Sequence, residues 1–201
     1  MKPIGDLVEK VTFHKTRIRS HPDELILIGK GRSAAVFKVA NTNKAVKIFY
    51  PSCEDLAKQE ISIYRQLNND QYFPAIYGEG GNYFVLEYLS GITFYECLCQ
   101  GIEITPEMVK RVDQAMNFAK SKGLNPSDTH LKNIILTCHG QVKLIDVARF
   151  KQTKECRQWE DLKATYQRFY RLKYFPKKFP KLIIEMIVRL YRYKLLPQSI
   201  F

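Results

Sequence analysis

ELILIGKGRSAAVFKVANTNKAVKIFY, residues 24–50, is the stretch whose pattern decides the fold. It holds three apolar runs: Leu25-Ile26-Leu27-Ile28, Ala35-Val36-Phe37-Lys38-Val39 and Ala45-Val46-Lys47-Ile48-Phe49. A glycine turn separates the first two, Asn41-Thr42-Asn43 separates the second pair, and Pro51 closes the third. Short β-branched runs bounded by turn formers are strands, and connections this short join antiparallel neighbours. The stretch therefore predicts an antiparallel meander.

Working outward toward the C-terminus, the apolar period changes at Glu54. Leu56, Ile61, Ile63, Tyr64 and Leu67 form a helical stripe that stops at Asn68-Asn69-Asp70. Ala75-Ile76-Tyr77 and Tyr83-Phe84-Val85-Leu86 follow as two more strands around the turn formers Gly78-Glu79-Gly80-Gly81-Asn82. Residues 24–89 thus read as a first lobe with a five-stranded antiparallel sheet and one helix, preceded by an N-terminal extension over 1–23.

Residues 90–201 read as a reduced, mainly helical second lobe. Helices are expected over 94–100 and 105–122, the latter started by Thr105 and Pro106 and stopped by Gly123. A hairpin of Ile134-Ile135-Leu136 and Val142-Lys143-Leu144-Ile145 turns at His139-Gly140. Helices over 157–174 and 181–195 finish the chain, with Pro176 and Pro180 between them. The whole is one α+β domain over 1–201 with its lobe boundary near 87–91.

With 45% hydrophobic and 12% aromatic residues in 201, the chain can bury a core, and disorder is not the default. Lys and Arg number 32 against 20 Asp and Glu, a net +12 that attracts phosphate-rich partners without naming one. The excess is concentrated: residues 151–201 hold 13 basic and 4 acidic side chains, hence +9. Five cysteines at irregular spacing match no zinc site, and no stretch has the make-up of a signal peptide or a membrane span. A reducing cytoplasmic setting is the expectation.

Several residues are placed for chemistry. Gly29-Lys30-Gly31-Arg32-Ser33-Ala34-Ala35-Val36 joins the first two strands, where glycines let backbone amides approach phosphates, although a plain glycine hairpin looks the same. Lys47 alternates against Val46 and Ile48, so it projects from the opposite face, and Glu60 on the following helix is a candidate ion-pair partner. Asn125-Pro126-Ser127-Asp128-Thr129-His130-Leu131-Lys132-Asn133 puts an acid and an amide five residues apart before a strand, and Val142-Lys143-Leu144-Ile145-Asp146 ends a strand in a second acid. Each acid taken alone is also a common turn-capping residue.

Taken together and in this order, the residues resemble the protein-kinase-like superfamily over roughly 25–149. The resemblance implies an α+β bilobal fold and assigns roles. Gly29, Lys30, Gly31 and Val36 would form the loop over ATP, and Lys47 would contact its phosphates with Glu60 positioning it. Glu87 and Leu89, in Leu86-Glu87-Tyr88-Leu89, would meet adenine at the hinge. Asp128 would be the catalytic base, and Asn133 and Asp146 would hold Mg2+.

Departures narrow the implied class. Pro126-Ser127-Asp128 stands for His-Arg-Asp, Asp146-Val147-Ala148 for Asp-Phe-Gly, and Ala34 for the third loop glycine. Asp128-Thr129-His130 resembles the loop of aminoglycoside and sugar phosphotransferases, and lipopolysaccharide kinases and the Bud and Rio atypical kinases are further relatives to weigh. No Ala-Pro-Glu signature occurs in the 55 residues after Asp146, so the peptide-docking half is expected to be cut down, with Trp159-Glu160-Asp161-Leu162 anchoring what remains.

The implied function is an ATP- and Mg-dependent transfer of the γ-phosphate to a hydroxyl, in the manner of a compact bacterial-type serine/threonine protein kinase. A small-molecule or glycan kinase and a nucleotide-binding pseudokinase scaffold are the alternatives. The basic C-terminal helices read first as a solvated face over a core stripe of Leu182, Ile183, Met186, Ile187, Leu190 and Tyr191. Their second reading is a surface for an acidic partner, RNA or an anionic membrane.

Overall fold

A computed structural model describes residues 3–193 and 195. The chain divides into two compact units, one of residues 1–89 with 146–148, the other of 90–145 with 149–201. The second chain segment of the first unit, 146–148, is not readable from pattern, because three residues carry no periodicity.

The first unit runs α1 (Ile4–Val8), β1 (Thr12–His14), β2 (Arg17–Ser20), β3 (Leu25–Lys30), β4 (Ala34–Val39), β5 (Lys44–Phe49), α2 (Glu54–Leu67), β6 (Ile76–Glu79) and β7 (Tyr83–Glu87). Strands β3 to β7 form one antiparallel sheet in the order β3-β4-β5-β7-β6. Period-two alternation sends Phe37, Val39, Val46 and Ile48 to one face, where they pack with Leu7, Val8 and Val11. Helix α2 buries Ala57, Ile61, Ile63, Tyr64 and Leu67, with Tyr64 against Phe84 at 5.7 Å between ring centroids. It ends at Asn68, whose left-handed backbone (φ 40°) lets its N–H cap Tyr64 O.

Residues 3–23 are therefore more than an extension: α1 and the β1–β2 hairpin cover a sheet face that would otherwise meet water. Elements of three to five residues are too short to show a period, which is why the sequence pattern passes over them.

The second unit contains β8 (Gly91–Thr93), α3 (Phe94–Gln100), α4 (Pro106–Ser121), β9 (Ile134–Thr137), β10 (Val142–Leu144), α5 (Gln158–Thr165) and α6 (Lys181–Arg192). Strand β8 joins the expected hairpin to make a three-stranded sheet, β10-β9-β8. Thr93 starts α3 with a capping box to Glu96, and Thr105 caps α4 through Met108 N–H. The helix expected over 157–174 is α-helical only to Thr165. A π-helical turn follows over Tyr166–Tyr170, where Tyr166 Oη donates to Ile104 O and Tyr170 Oη accepts from Ile104 N. Two tyrosines clasping one residue's backbone fix this irregular turn. Trp159 is buried and donates to Asp113 Oδ1 at 2.7 Å, which ties α5 to α4.

The last expected helix ends at Arg192 rather than 195, and of that span Lys194 lies outside the described residues. Most of its expected core stripe faces out: Leu182, Ile183, Met186 and Ile187 are exposed, whereas Leu190 and Tyr191 are half-buried, and the helix is seated through Ile184 and Tyr191. A hydrophobic arc of this helix is wider than the part its own unit covers.

Gly91 shows how tightly the small sheet is built, since a Cβ there would run into the backbone of Leu136 and Thr137. Gly91→Ala is expected to destabilise the second unit by about 1–3 kcal/mol, read as a lowered midpoint in chemical denaturation, whereas Gly81→Ala, where a Cβ meets nothing, leaves the midpoint in place.

Candidate functional site

In the first unit the functional candidates fall in one row across the sheet. Gly29 pairs with Val36, Val36 with Lys47, and Lys47 with Phe84, so these residues share a face. A bulge between Leu27 and Gly29 shifts the edge strand just before the row.

The turn after Gly29 is held from below by Tyr50, a fully buried residue whose hydroxyl donates to Gly31 O and whose N–H donates to Ser33 O. Gly31 N–H closes the turn on Ala34 O at 2.9 Å, which leaves the N–H groups of Arg32 and Ser33 without a partner among the described residues. A Cβ at Gly29 or Gly31 would find only ordinary contacts within the protein. The fold itself does not require either glycine, so the space they leave open is available to something outside the chain. Lys30 is exposed at the end of β3.

Lys47 Nζ donates to both carboxylate oxygens of Glu60 at 2.8 Å and to Asp146 Oδ1 at 3.1 Å, using all three of its N–H donors. The Lys47 and Glu60 side chains are only 12% and 1% exposed, while Asp146 is half exposed. Burial lowers the lysine's affinity for its proton, but the charges of Glu60 and then Asp146 outweigh it and hold the pKa above the ordinary 10.5. Burial raises the Glu60 carboxyl above 4.5 against the opposing charge of Lys47. These shifts favour opposite forms of the pair. The two short contacts at 2.8 Å satisfy every donor and acceptor only when it is ionised, so Lys47 is an ammonium held by a carboxylate.

Asp146 has φ 60°, a left-handed backbone that aspartate tolerates better than most residues. Its backbone hydrogen-bonds the hydroxyl of Tyr64, a phenol whose pKa burial pushes well up. Gln59 Nε2 donates to Ala148 O at 3.3 Å. Helix α2 thus contacts the 146–148 segment from positions 59 and 64, either side of Glu60. Sequence reasoning missed Tyr64 in this role, although its place four residues after Glu60 on one helical face was a usable signal.

At the end of β7, Glu87 donates its N–H to Ala75 O, and its carboxylate accepts from Ala75 N. Tyr88 N–H bonds Asn43 O, and the backbone of Leu89 makes no hydrogen bond among the described residues.

The second unit carries the other candidates. Asp128 also adopts a left-handed backbone, φ 62°. Its carbonyl accepts from Asn133 Nδ2 at 3.0 Å, and Ile145 N–H donates to Asn133 O at 2.9 Å. Asn133 N–H in turn donates to His130 O. Asn125 supports the loop by donating to Gln152 O and Lys154 O, while Ser127 and Thr129 are buried on either side of the acid. The Asp128 carboxylate projects from this fixed loop, with Arg149 Nε at 3.5 Å and His130 Nε2 at 4.0 Å. Arg149 was not visible from spacing, since it lies 21 positions after the acid that it faces.

Among the described residues no group of three or more His, Cys, Asp or Glu side chains is arranged to hold a metal. Within the first unit the half-exposed Asp146 carboxylate keeps one oxygen off Lys47, and within the second Asn133, donating through Nδ2, keeps Oδ1 as an acceptor.

The first unit thus holds a strand lysine fixed by a helix glutamate and an acid, and the second holds an acid–amide loop. No family model matches the chain. It is 45% identical over 178 residues to the protein of Bacillus subtilis (strain 168) named "Putative serine/threonine-protein kinase YrzF", a match spanning 88% of this chain and 83% of that one. It is also 26% identical over 178 residues to "CBL-interacting serine/threonine-protein kinase 12" of Arabidopsis thaliana, spanning 76% of this chain and 36% of that protein. The chain belongs to the protein-kinase-like family. Among the described residues no helix is long and apolar enough to cross a membrane.

The Lys47 pair has a testable pH signature. Its folded pKa lies above the unfolded value of 10.5, so its contribution to stability is complete below pH 10.5 and is lost as pH rises through the folded value. In chain carrying 13C-labelled lysine, the Lys47 Cε signal is expected to titrate above pH 10.5, and to titrate lower in Glu60→Gln, where burial is opposed by Asp146 alone. An unchanged midpoint in that variant would show that Glu60 does not hold the charge.

Proposed function

We propose that this chain is an ATP- and Mg-dependent phosphotransferase that acts as a serine/threonine protein kinase. The observation that carries the proposal is the Lys47–Glu60–Asp146 cluster, whose lysine stands in one cross-strand row with Gly29 and Val36. Kinase-named relatives support the reaction class.

Phosphoryl transfer needs positioning and charge neutralisation more than covalent chemistry. Lys47, held by Glu60, presents its ammonium to the phosphates, and a phosphate oxygen takes the N–H now given to Asp146. The open turn at Gly29, Lys30 and Gly31 offers the unpaired amides of Arg32 and Ser33 to the same anion. Val36 lines the adenosine, while the Glu87 carbonyl and the Leu89 backbone hydrogen-bond adenine. Asp146 and Asn133 would hold magnesium, which when bound would neutralise phosphate charge. Asp128 orients the acceptor hydroxyl and receives its proton as the oxygen–phosphorus bond forms and ADP leaves. Arg149 and His130 keep the Asp128 carboxylate aimed.

The test is turnover of ATP with magnesium and a generic serine/threonine protein substrate, comparing wild type with Asp146→Ala and Asp128→Ala. Both variants are expected to lose about 100-fold or more while remaining folded by circular dichroism at the assay temperature. Transfer to sugars or aminoglycosides but not to protein would move the assignment to a small-molecule kinase. Magnesium-dependent ATP binding without turnover would make the chain a nucleotide-binding scaffold.

A further inference from the structure

Helix α6 is fixed on the second unit by one side only. Ile184 is buried, Tyr191 Oη donates to Asp161 Oδ2 at 2.8 Å, and Glu185 accepts from Tyr95 Oη at 3.3 Å. At 100° per residue Ile184 and Tyr191 stand about 20° apart, with Glu185 about 100° on from Ile184. Leu182, Ile183 and Met186 lie on the arc away from them, Ile187 lies between that arc and Tyr191, and all four are exposed, Leu182 at 78% and Met186 at 55%. Arg189 borders the exposed arc, with Lys181 and Arg192 further round on the polar side, and none of the three makes an ion pair among the described residues. The segment before the helix exposes Leu172 and Tyr174 around Lys173.

Contiguous exposed aliphatic surface is costly in water and marks a contact site. We propose that α6 docks on an anionic lipid bilayer, lying in the plane of the interface with Leu182, Ile183, Met186 and Ile187 among the acyl chains and its basic border at the headgroups. Charge complementarity selects this occupant. Residues 151–201 carry 13 basic against 4 acidic side chains, so a second copy of the chain would bring the same positive field to the contact, whereas an anionic leaflet brings the opposite one. Nucleic acid fits this arc less well, since Leu182, Ile183, Met186 and Ile187 offer bases no ring to stack on, the exposed rings of Tyr174 and Tyr193 lying outside the helix. A 12-residue helix is too short to span a bilayer and the right form to lie on one. Lys177, by contrast, is engaged with the Tyr170 carbonyl and ring, so it belongs to the support of this region and not to the docking border.

The proposal is independent of catalysis and is tested by co-sedimentation of the full chain with vesicles. Phosphatidylcholine vesicles containing about a third phosphatidylglycerol are expected to carry the protein down at physiological salt, and pure phosphatidylcholine vesicles to leave it in solution. Leu182→Asp with Met186→Asp abolishes the binding, and Lys181→Gln with Arg189→Gln and Arg192→Gln weakens it by about 10-fold or more. These sites are exposed, so an unchanged melting midpoint and near-ultraviolet dichroism confirm the fold of each variant. No sedimentation with anionic vesicles, binding indifferent to the Asp pair, or displacement of the protein from vesicles by RNA that the Asp pair no longer binds would each overturn the proposal. So would light scattering that shows a dimer broken by the Asp pair.

Discussion

A lysine ammonium on the interior of a sheet face must be matched by negative charge, because an unpaired buried charge costs far more than the fold's net stability can spare. Lys47 meets this constraint through Glu60 and Asp146, and much of the first unit is organised around it. Strand β5 supplies the lysine, α2 lies where its glutamate reaches both sides of the ammonium, and residues 146–148 are drawn to the same helix through Tyr64 and Gln59. Breaking such a pair from one side leaves the other charge stranded, an effect of about 3–5 kcal/mol. The covering of the opposite sheet face by α1 and the first hairpin serves the same end, since it keeps Val46 and Ile48 dry and so fixes the strand whose other face carries Lys47.

Backbone strain is placed where the chemistry is proposed. Of the five non-glycine residues with left-handed backbone among the described ones, Lys15, Asn41 and Asn68 turn the chain at hairpins or end a helix. The other two are Asp128 and Asp146. Each is held by neighbours that determine its conformation: Asp128 by the Asn133 amide on its carbonyl, Asp146 by the Tyr64 hydroxyl and the Lys47 ammonium. A strained acid whose backbone is fixed presents its carboxylate in one direction, which is what a base or a metal ligand needs.

The C-terminal helix separates two things that a hydrophobic stripe can mean. Its apolar arc is readable from residue order, and the simplest reading is that such an arc lies on a core. In the structure Ile184 takes that part, while Leu182, Ile183, Met186 and Ile187 face out beside unpaired basic residues. The exposed apolar arc, in a segment of strong positive charge, is the observation behind the proposed contact with an anionic bilayer.

The five strands of the first sheet, helix α2 with its stop at Asn68, and helices α3 and α4 were legible in the sequence because alternation, helical period, caps and turn formers are local properties of the chain. The identities of Lys47, Glu60, Asp128, Asn133 and Asp146 as candidates were legible for a related reason, since each sits at a fixed offset from a strand, helix or turn. What only tertiary structure decided is which distant groups meet: Asp146 reaches Lys47 across 99 positions, Arg149 faces Asp128, Tyr64 takes the Asp146 backbone, and α6 turns its apolar arc outward. Periodicity states that a surface is apolar or that a residue is charged. Which neighbour satisfies it depends on how elements far apart in the chain pack, and no local pattern carries that information.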